Sequence, residues 1–172
     1  MASAPSQTHH TDMSNLQAIR EKLRGTPLFK SFTDAELEKF LTVAEPTSFR
    51  TGEFIIRQGE NGDCMFCLAE GTCKVMAQRD GHSVELALLG SGAIFGELAL
   101  FEHRPRFADV LAVTDTVLLK ISEPMVHAFA GLYPAAAYKL LAGIIREISD
   151  RLRKTSTRVL DSLLPTVPPP QG

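Results

Sequence analysis

The sequence predicts an α+β domain, mainly β, in which a set of short antiparallel strands is bracketed by helices. Three observations carry that reading. Between about Ser48 and Ile121, glycines at 52, 59, 62, 71, 81, 90, 92 and 96 separate short apolar or alternating runs, the texture of an antiparallel sandwich or barrel. On either side of this region apolar residues recur at steps of three and four, the helical period. No crossover helix falls between the strands, which argues against a parallel α/β sheet.

Each element has its own justification. Residues 1–13 are polar and read as a disordered segment, with His9-His10 incidental to it. Asn15 to Arg24 places Leu16, Ile19 and Leu23 on one helical stripe. A second helix starts at a T-x-x-E capping box, Thr33 with Glu36, and buries Leu37, Phe40 and Leu41. The two helices together read as a small lid packed on the main domain. The strand runs are Glu53–Arg57, Met65–Ala69, Cys73–Ala77, Val84–Leu89, Phe107–Val113 and Thr116–Ile121, with Asp80-Gly81 as a hairpin turn. Ser122 then caps a helix with Pro124 in its first turn and Gly131 as its stop. Tyr133-Pro134 opens a longer helix reaching about Leu164, along which Leu141, Ile145, Ile148, Leu152, Val159 and Leu163 form a heptad-like seam interrupted at Thr155. Pro165 and the prolines at 168–170 end it. The division expected is a disordered 1–13, one domain over 14–164 with its C-terminal helix from about 134, and a Pro-rich disordered 165–172.

Bulk properties narrow the function. A chain of 172 residues holds one domain, and an apolar share of 44% suits a globular protein. A formal charge of −2 speaks against a dedicated nucleic-acid or anionic-membrane surface. No apolar run approaches the roughly 20 residues that span a bilayer, and the N-terminus lacks the apolar core of a secretory signal, so a cytoplasmic location is expected. Cys64 and Cys67 form a C-x-x-C, but no second ligand pair follows at zinc spacing. They and Cys73 read as buried strand cysteines, and no metal or other cofactor is expected. His82, His103 and His127 fall in a turn, a loop and a helix without ligand spacing. With no nucleophile–His–acid set, enzymatic activity is not expected.

The chemistry concentrates in residues 95–110. Gly96 lets backbone approach a ligand without a side chain in the way. Leu98 and Ala99 offer amides at the start of a short turn over 97–101, and a guanidinium at Arg106 would complete an anion cradle. A carboxylate beside a phosphate is tolerable only if aimed elsewhere, and a ribose 2′-hydroxyl suits Glu97. With the pocket empty, Glu97 is expected to offset part of the Arg106 charge.

Phe95-Gly-Glu-Leu-Ala-Leu, followed by Arg104-Pro-Arg-Phe-Ala-Asp-Val, resembles the phosphate-binding cassette of the cyclic nucleotide-binding domain family, of the catabolite activator and protein kinase A regulatory subunit type. The resemblance extends to Gly52-Glu-x-Ile-x-x-Gln-Gly-Glu, to Met65-Phe-x-Leu-x-x-Gly71 and to the flanking helices, over roughly residues 27–160. It implies a jelly-roll β-barrel with N-terminal helices and a long C-terminal helix, binding cyclic AMP or cyclic GMP as a regulatory ligand. It assigns the ribose contact to Glu97, the phosphate contacts to Arg106 and the 96–99 backbone, and further ligand contacts to Phe107 and Ala108. The long helix resembles the dimerisation helix of the catabolite activators, which makes Thr155 and Ser156 candidate base contacts and residues 137–164 a homodimer seam.

Two positions depart from the family pattern. Phe107 stands where Ser, Thr or Ala is usual, and its ring could close the pocket, stack on a base or point into the core. Asp109, expected on the same strand face as Phe107, adds a second carboxylate that weakens phosphate binding unless it is aimed elsewhere. The resulting expectation is a stand-alone sensor of cyclic AMP or cyclic GMP that relays binding through its C-terminal helices to an unidentified protein. The alternative is an interaction and dimerisation module that kept the fold and lost the ligand. Direct DNA binding is not expected, since no helix-turn-helix fits in Pro165–Gly172.

Overall fold

The computed structural model describes residues 13–102 and 104–163, and the layering follows from one strand within it. β3 (Cys64–Glu70) is buried on both faces. Met65, Cys67 and Ala69 join one apolar cluster, while Cys64, Phe66 and Leu68 join another. A strand that alternates its side chains between two cores must lie in a middle layer. It does so in a four-stranded antiparallel sheet with the order β1 (Glu45–Phe49), β8 (Thr116–Ser122), β3 and β6 (Ile94–Phe95). Facing it is a second sheet with the order β2 (Phe54–Ile56), β7 (Asp109–Ala112), β4 (Cys73–Arg79) and β5 (His82–Leu89). The inter-sheet core contains Ile56, Phe66, Phe95 and Val110, with the Phe66 and Phe95 rings stacked 5.5 Å apart. The expected antiparallel jelly-roll-like fold with terminal helices is thus observed.

Helices cover the other face of the first sheet. α1 (Met13–Arg24), α2 (Asp34–Val43), α4 (Glu123–Leu132) and α5 (Pro134–Leu163) contribute Leu23, Phe40, Phe129 and Leu140 to a core that also includes Met65 and Leu119. The Thr33–Glu36 capping box forms: the Thr33 amide donates to Glu36 at 2.7 Å, and the Glu36 amide donates to Thr33 Oγ1 at 3.2 Å. Glu36 also accepts from Lys139 Nζ at 2.7 and 2.8 Å, tying the capped end of α2 to α5. Four residues on, Gly143 packs against the Leu28 carbonyl, where an added Cβ would sit 2.8 Å from the oxygen.

Several boundaries differ from those expected. α4 runs one residue past Gly131 to Leu132, because the Tyr133 amide still reaches the Phe129 carbonyl at 2.8 Å. β1 and β6 have too few apolar residues in alternation to announce themselves and are recruited by pairing with β8 and β3. The seam expected on α5 is not its buried face. Ala136, Ala137, Leu140, Gly143 and Ile144 are buried, whereas Leu141, Ile145, Leu152, Val159 and Leu163 are exposed. The terminal segments 1–12 and 164–172, with His9-His10, and the loop residue His103 lie outside the described residues.

Candidate functional site

Arg106 is set in place by its backbone before its side chain does anything. Its amide donates to the Glu60 carbonyl at 2.8 Å, and its carbonyl accepts from the Gly59 amide at 2.9 Å. This two-bond clamp explains why the Gln58-Gly59-Glu60 turn accompanies the cassette. The guanidinium then lies inward: Arg106 is 8% exposed, Nη1 donates to the Gly96 carbonyl at 2.8 Å, and Nη2 donates to Cys64 Sγ at 3.4 Å. It rests on Gly62, where any Cβ would overlap the guanidinium. Gly96 has φ +78°, and a Cβ there would sit 2.7 Å from Arg106 Nη1. Both glycines are therefore required by close approach, and Gly96 by its backbone as well.

Glu97 begins α3 (Glu97–Glu102), a helix where only a turn over 97–101 is expected. At 3% exposure it is a buried carboxylate. Its partner is not the expected Arg106. Arg151 of α5 donates through Nη1 to Glu97 Oε1 at 3.0 Å and through Nη2 to the Ile94 carbonyl at 2.6 Å. One guanidinium thus bonds the cassette and the end of β6 together. Nothing in the spacing of residues 95–110 signals Arg151, because it arrives from a helix more than fifty residues downstream.

These groups share one cavity of about 90 Å³, lined by Ile56, Val75, Phe95, Val110 and Arg151 together with the 96–99 and 106–108 segments. Of the residues singled out in the sequence, Gly96, Glu97, Leu98, Ala99, Arg106, Phe107 and Ala108 meet there. Thr155 and Ser156 do not line it; both are exposed, and Thr155 Oγ1 donates to the Arg151 carbonyl at 3.0 Å. The first amides of α3 have no intrahelical acceptor and stand beside the only described arginine buried to this degree. The arrangement therefore offers neutral and charged donors at one end and a carboxylate acceptor next to them, over an apolar floor. A larger cavity between α1 and α2 lacks this chemistry, its one cation, Arg20, being paired with Glu38.

Phe107 and Asp109 part company. The residues expected as one strand from 107 become strand only at Asp109, so the two side chains do not share a face. Phe107 is 68% exposed at the cavity rim. Asp109 is buried and accepts from the Gln58 amide at 2.7 Å and from Gln78 Nε2 at 2.9 Å. Gln58 and Gln78 bond each other in turn at 2.7 and 3.1 Å. The acid serves β2–β4 registration and is absent from the cavity lining.

The cysteines are held as thiols. Burial pushes Cys67 up to about 12 and Cys73 up to about 11. Cys64 is also raised by burial, against the opposing pull of Arg106. Cys64 and Cys67 project into different cores, which separates the C-x-x-C thiols. Among the described residues no cluster of His, Cys, Asp or Glu could hold a metal ion.

The chain is thus a two-sheet barrel that carries a buried arginine and a buried glutamate on a short glycine-led segment. The family model for the cyclic nucleotide-binding domain matches residues 46–131, half of the chain, and the chain belongs to that family. It is 39% identical over 99 residues to a Drosophila melanogaster cAMP-dependent protein kinase type II regulatory subunit, covering 58% of this chain and 26% of that one. It is 30% identical over 129 residues to the cyclic AMP receptor protein of Thermus thermophilus, covering 74% and 60%. A solved cyclic nucleotide-binding domain from Methylobacillus flagellatus superposes with a TM-score of 0.78 over 90% of this chain and 88% of that one, and at 20% identity it shows the shared fold. The chain spans about a quarter and about three-fifths of the two curated relatives.

Proposed function

We propose that the chain is a cyclic-nucleotide sensor, taking cyclic AMP or cyclic GMP as a regulatory ligand and relaying occupancy through α5 to a protein partner. The observation that carries this reading is the meeting of Arg106, Glu97 and Arg151 on one small cavity. The cyclic phosphate would accept from Arg106 and the 96–99 amides, and the ribose 2′-hydroxyl would donate to Glu97. That hydroxyl and Arg151 address the same carboxylate, so binding of one changes the free energy of the other, and coupling of this kind is reciprocal. The role is regulatory and not catalytic. A cytoplasmic location is part of the proposal; no described helix is long and apolar enough to cross a membrane.

The exposed Leu141, Ile145, Leu152, Val159 and Leu163 support a homodimer through residues 137–164. As base contacts, Thr155 and Ser156 fit a second copy laid along the same helix, because neither lines the cavity of its own chain. Calorimetric titration with cyclic AMP and cyclic GMP tests the sensor reading: saturable binding is expected, and Arg106→Leu abolishes it. Absence of binding by both nucleotides in the unaltered chain refutes it. The same exposed stripe favours, as a second reading, a ligand-independent interaction module, whose mark is capture of a partner unaffected by nucleotide.

A further inference from the structure

The cavity is too small for a whole nucleotide. About 90 Å³ compares with roughly 300–1,000 Å³ for pockets that engulf small-molecule ligands. Its polar groups, Glu97, Arg106 and the 96–99 backbone, suit a ribose and its cyclic phosphate, and both charged side chains are buried. The heterocycle must then project past the rim, and the residue at that rim is Phe107.

Phe107 has no structural employment. It belongs to neither apolar cluster. Its ring enters none of the ring–ring or cation–ring contacts among the described residues. Phe54, which is also exposed, has Arg57 over its face at 4.0 Å. Phe107 alone combines a bare face with a place in the cavity lining. Its neighbours Arg106 and Ala108 are buried, which fixes the backbone on both sides of the exposed ring.

We propose that Phe107 is a specificity-determining residue that stacks on the heterocycle and selects purine over pyrimidine cyclic nucleotides. The proposal rests on the cyclic-nucleotide reading above and adds the residue that holds the base. A phenyl ring has neither donor nor acceptor for a base edge. It recognises a face, and the two fused rings of a purine present more face than the single ring of a pyrimidine. The cassette thereby supplies its own cap on the base, from the residue adjoining the phosphate-binding arginine.

The test is calorimetry on the full chain with cyclic AMP, cyclic GMP, cyclic CMP and a base-free probe, methyl riboside 3′,5′-cyclic phosphate. The unaltered chain binds both purines more tightly than cyclic CMP. Phe107→Ala weakens both purines by roughly 5- to 150-fold, the usual range for losing one base–aromatic stack, and leaves the base-free probe unchanged. Phe107→Trp retains or tightens purine binding. The proposal is overturned if Phe107→Ala leaves purine affinity within about twofold, or if it weakens the base-free probe as much as the purines. Failure of all four probes on the unaltered chain overturns the underlying sensor reading as well. Loss confined to the purine arm of Phe107→Ala cannot come from a collapsed cradle, because the base-free probe reports the cradle separately.

Discussion

Replacing Arg151 by Met leaves the Glu97 carboxylate buried with its partner gone. The Glu97 side chain is 4% exposed and that of Arg151 is 39% exposed, so the two ends of the bond respond differently. Hydrogen bonds to charged groups contribute about 1.5–3 kcal/mol. The half-wet guanidinium places the loss near the middle, at about 2 kcal/mol, which lowers the unfolding midpoint by about 4–8 °C in a chain of this size. Glu97→Gln alone costs about 1 kcal/mol, since the amide can still accept from Arg151 but without charge assistance. In the Arg151→Met background the same change becomes favourable by about 1 kcal/mol, because a neutral amide is cheaper to bury unpaired than a carboxylate. Urea unfolding of the four proteins at neutral pH gives the coupling directly. Equal destabilisation by Glu97→Gln in both backgrounds would refute the claim that Arg151 is what makes a carboxylate tolerable there.

Four further outcomes are expected. Gly96→Ala forces an L-residue to φ +78° with its Cβ against Arg106; it destabilises by about 1–2 kcal/mol and weakens nucleotide binding in calorimetry. Asp109→Ala strips the Gln58 amide of its acceptor and costs about 1–3 kcal/mol in urea unfolding, while nucleotide affinity stays within about twofold; a large affinity change would place Asp109 back in the site. Hydrogen bonds from Lys139, then from Thr33, hold the Glu36 carboxyl below the usual carboxylate range. Its lowered folded-state value means the contribution is present at neutral pH and lost as pH falls below about 4, so Lys139→Met flattens the acid arm of the stability profile, and parallel profiles would exclude that role. Ile145→Glu with Leu152→Glu converts the proposed dimer to monomer in sedimentation, and a monomeric unaltered chain removes the dimer proposal.

The cradle was legible because its parts are local. Gly96, Glu97 and Arg106 fall within eleven consecutive residues, and each residue type has chemistry that fits its place. The capping box at Thr33 and Glu36 was legible for the same reason. The partner of Glu97 was not, since helical periodicity identifies which face of α5 is apolar but not which arginine reaches a strand end. The face that α5 buries was not singled out: Ala136, Ala137 and Gly143 lie on it beside Leu140 and Ile144, and small residues add little to an apolar period, while Leu141, Ile145, Leu152, Val159 and Leu163 of the expected seam stay exposed. Asp109 and Phe107 depended on where β7 begins. A start two residues later than expected turned one into a sheet bond and left the other at the rim.

α5 is held at one end by Lys139 and the close contact of Gly143 with Leu28, and farther along by Arg151. A stiff helix rises about 1.5 Å per residue, which puts Arg151 about 18 Å and Leu163 about 36 Å from Lys139. A rod so mounted is a lever whose fulcrum lies among the helices and whose short arm ends at the cavity. A rotation of the helix about Lys139 moves Leu163 about twice as far as Arg151, which is how the proposed relay would turn a shift too small to disturb the barrel into a larger movement at the far end.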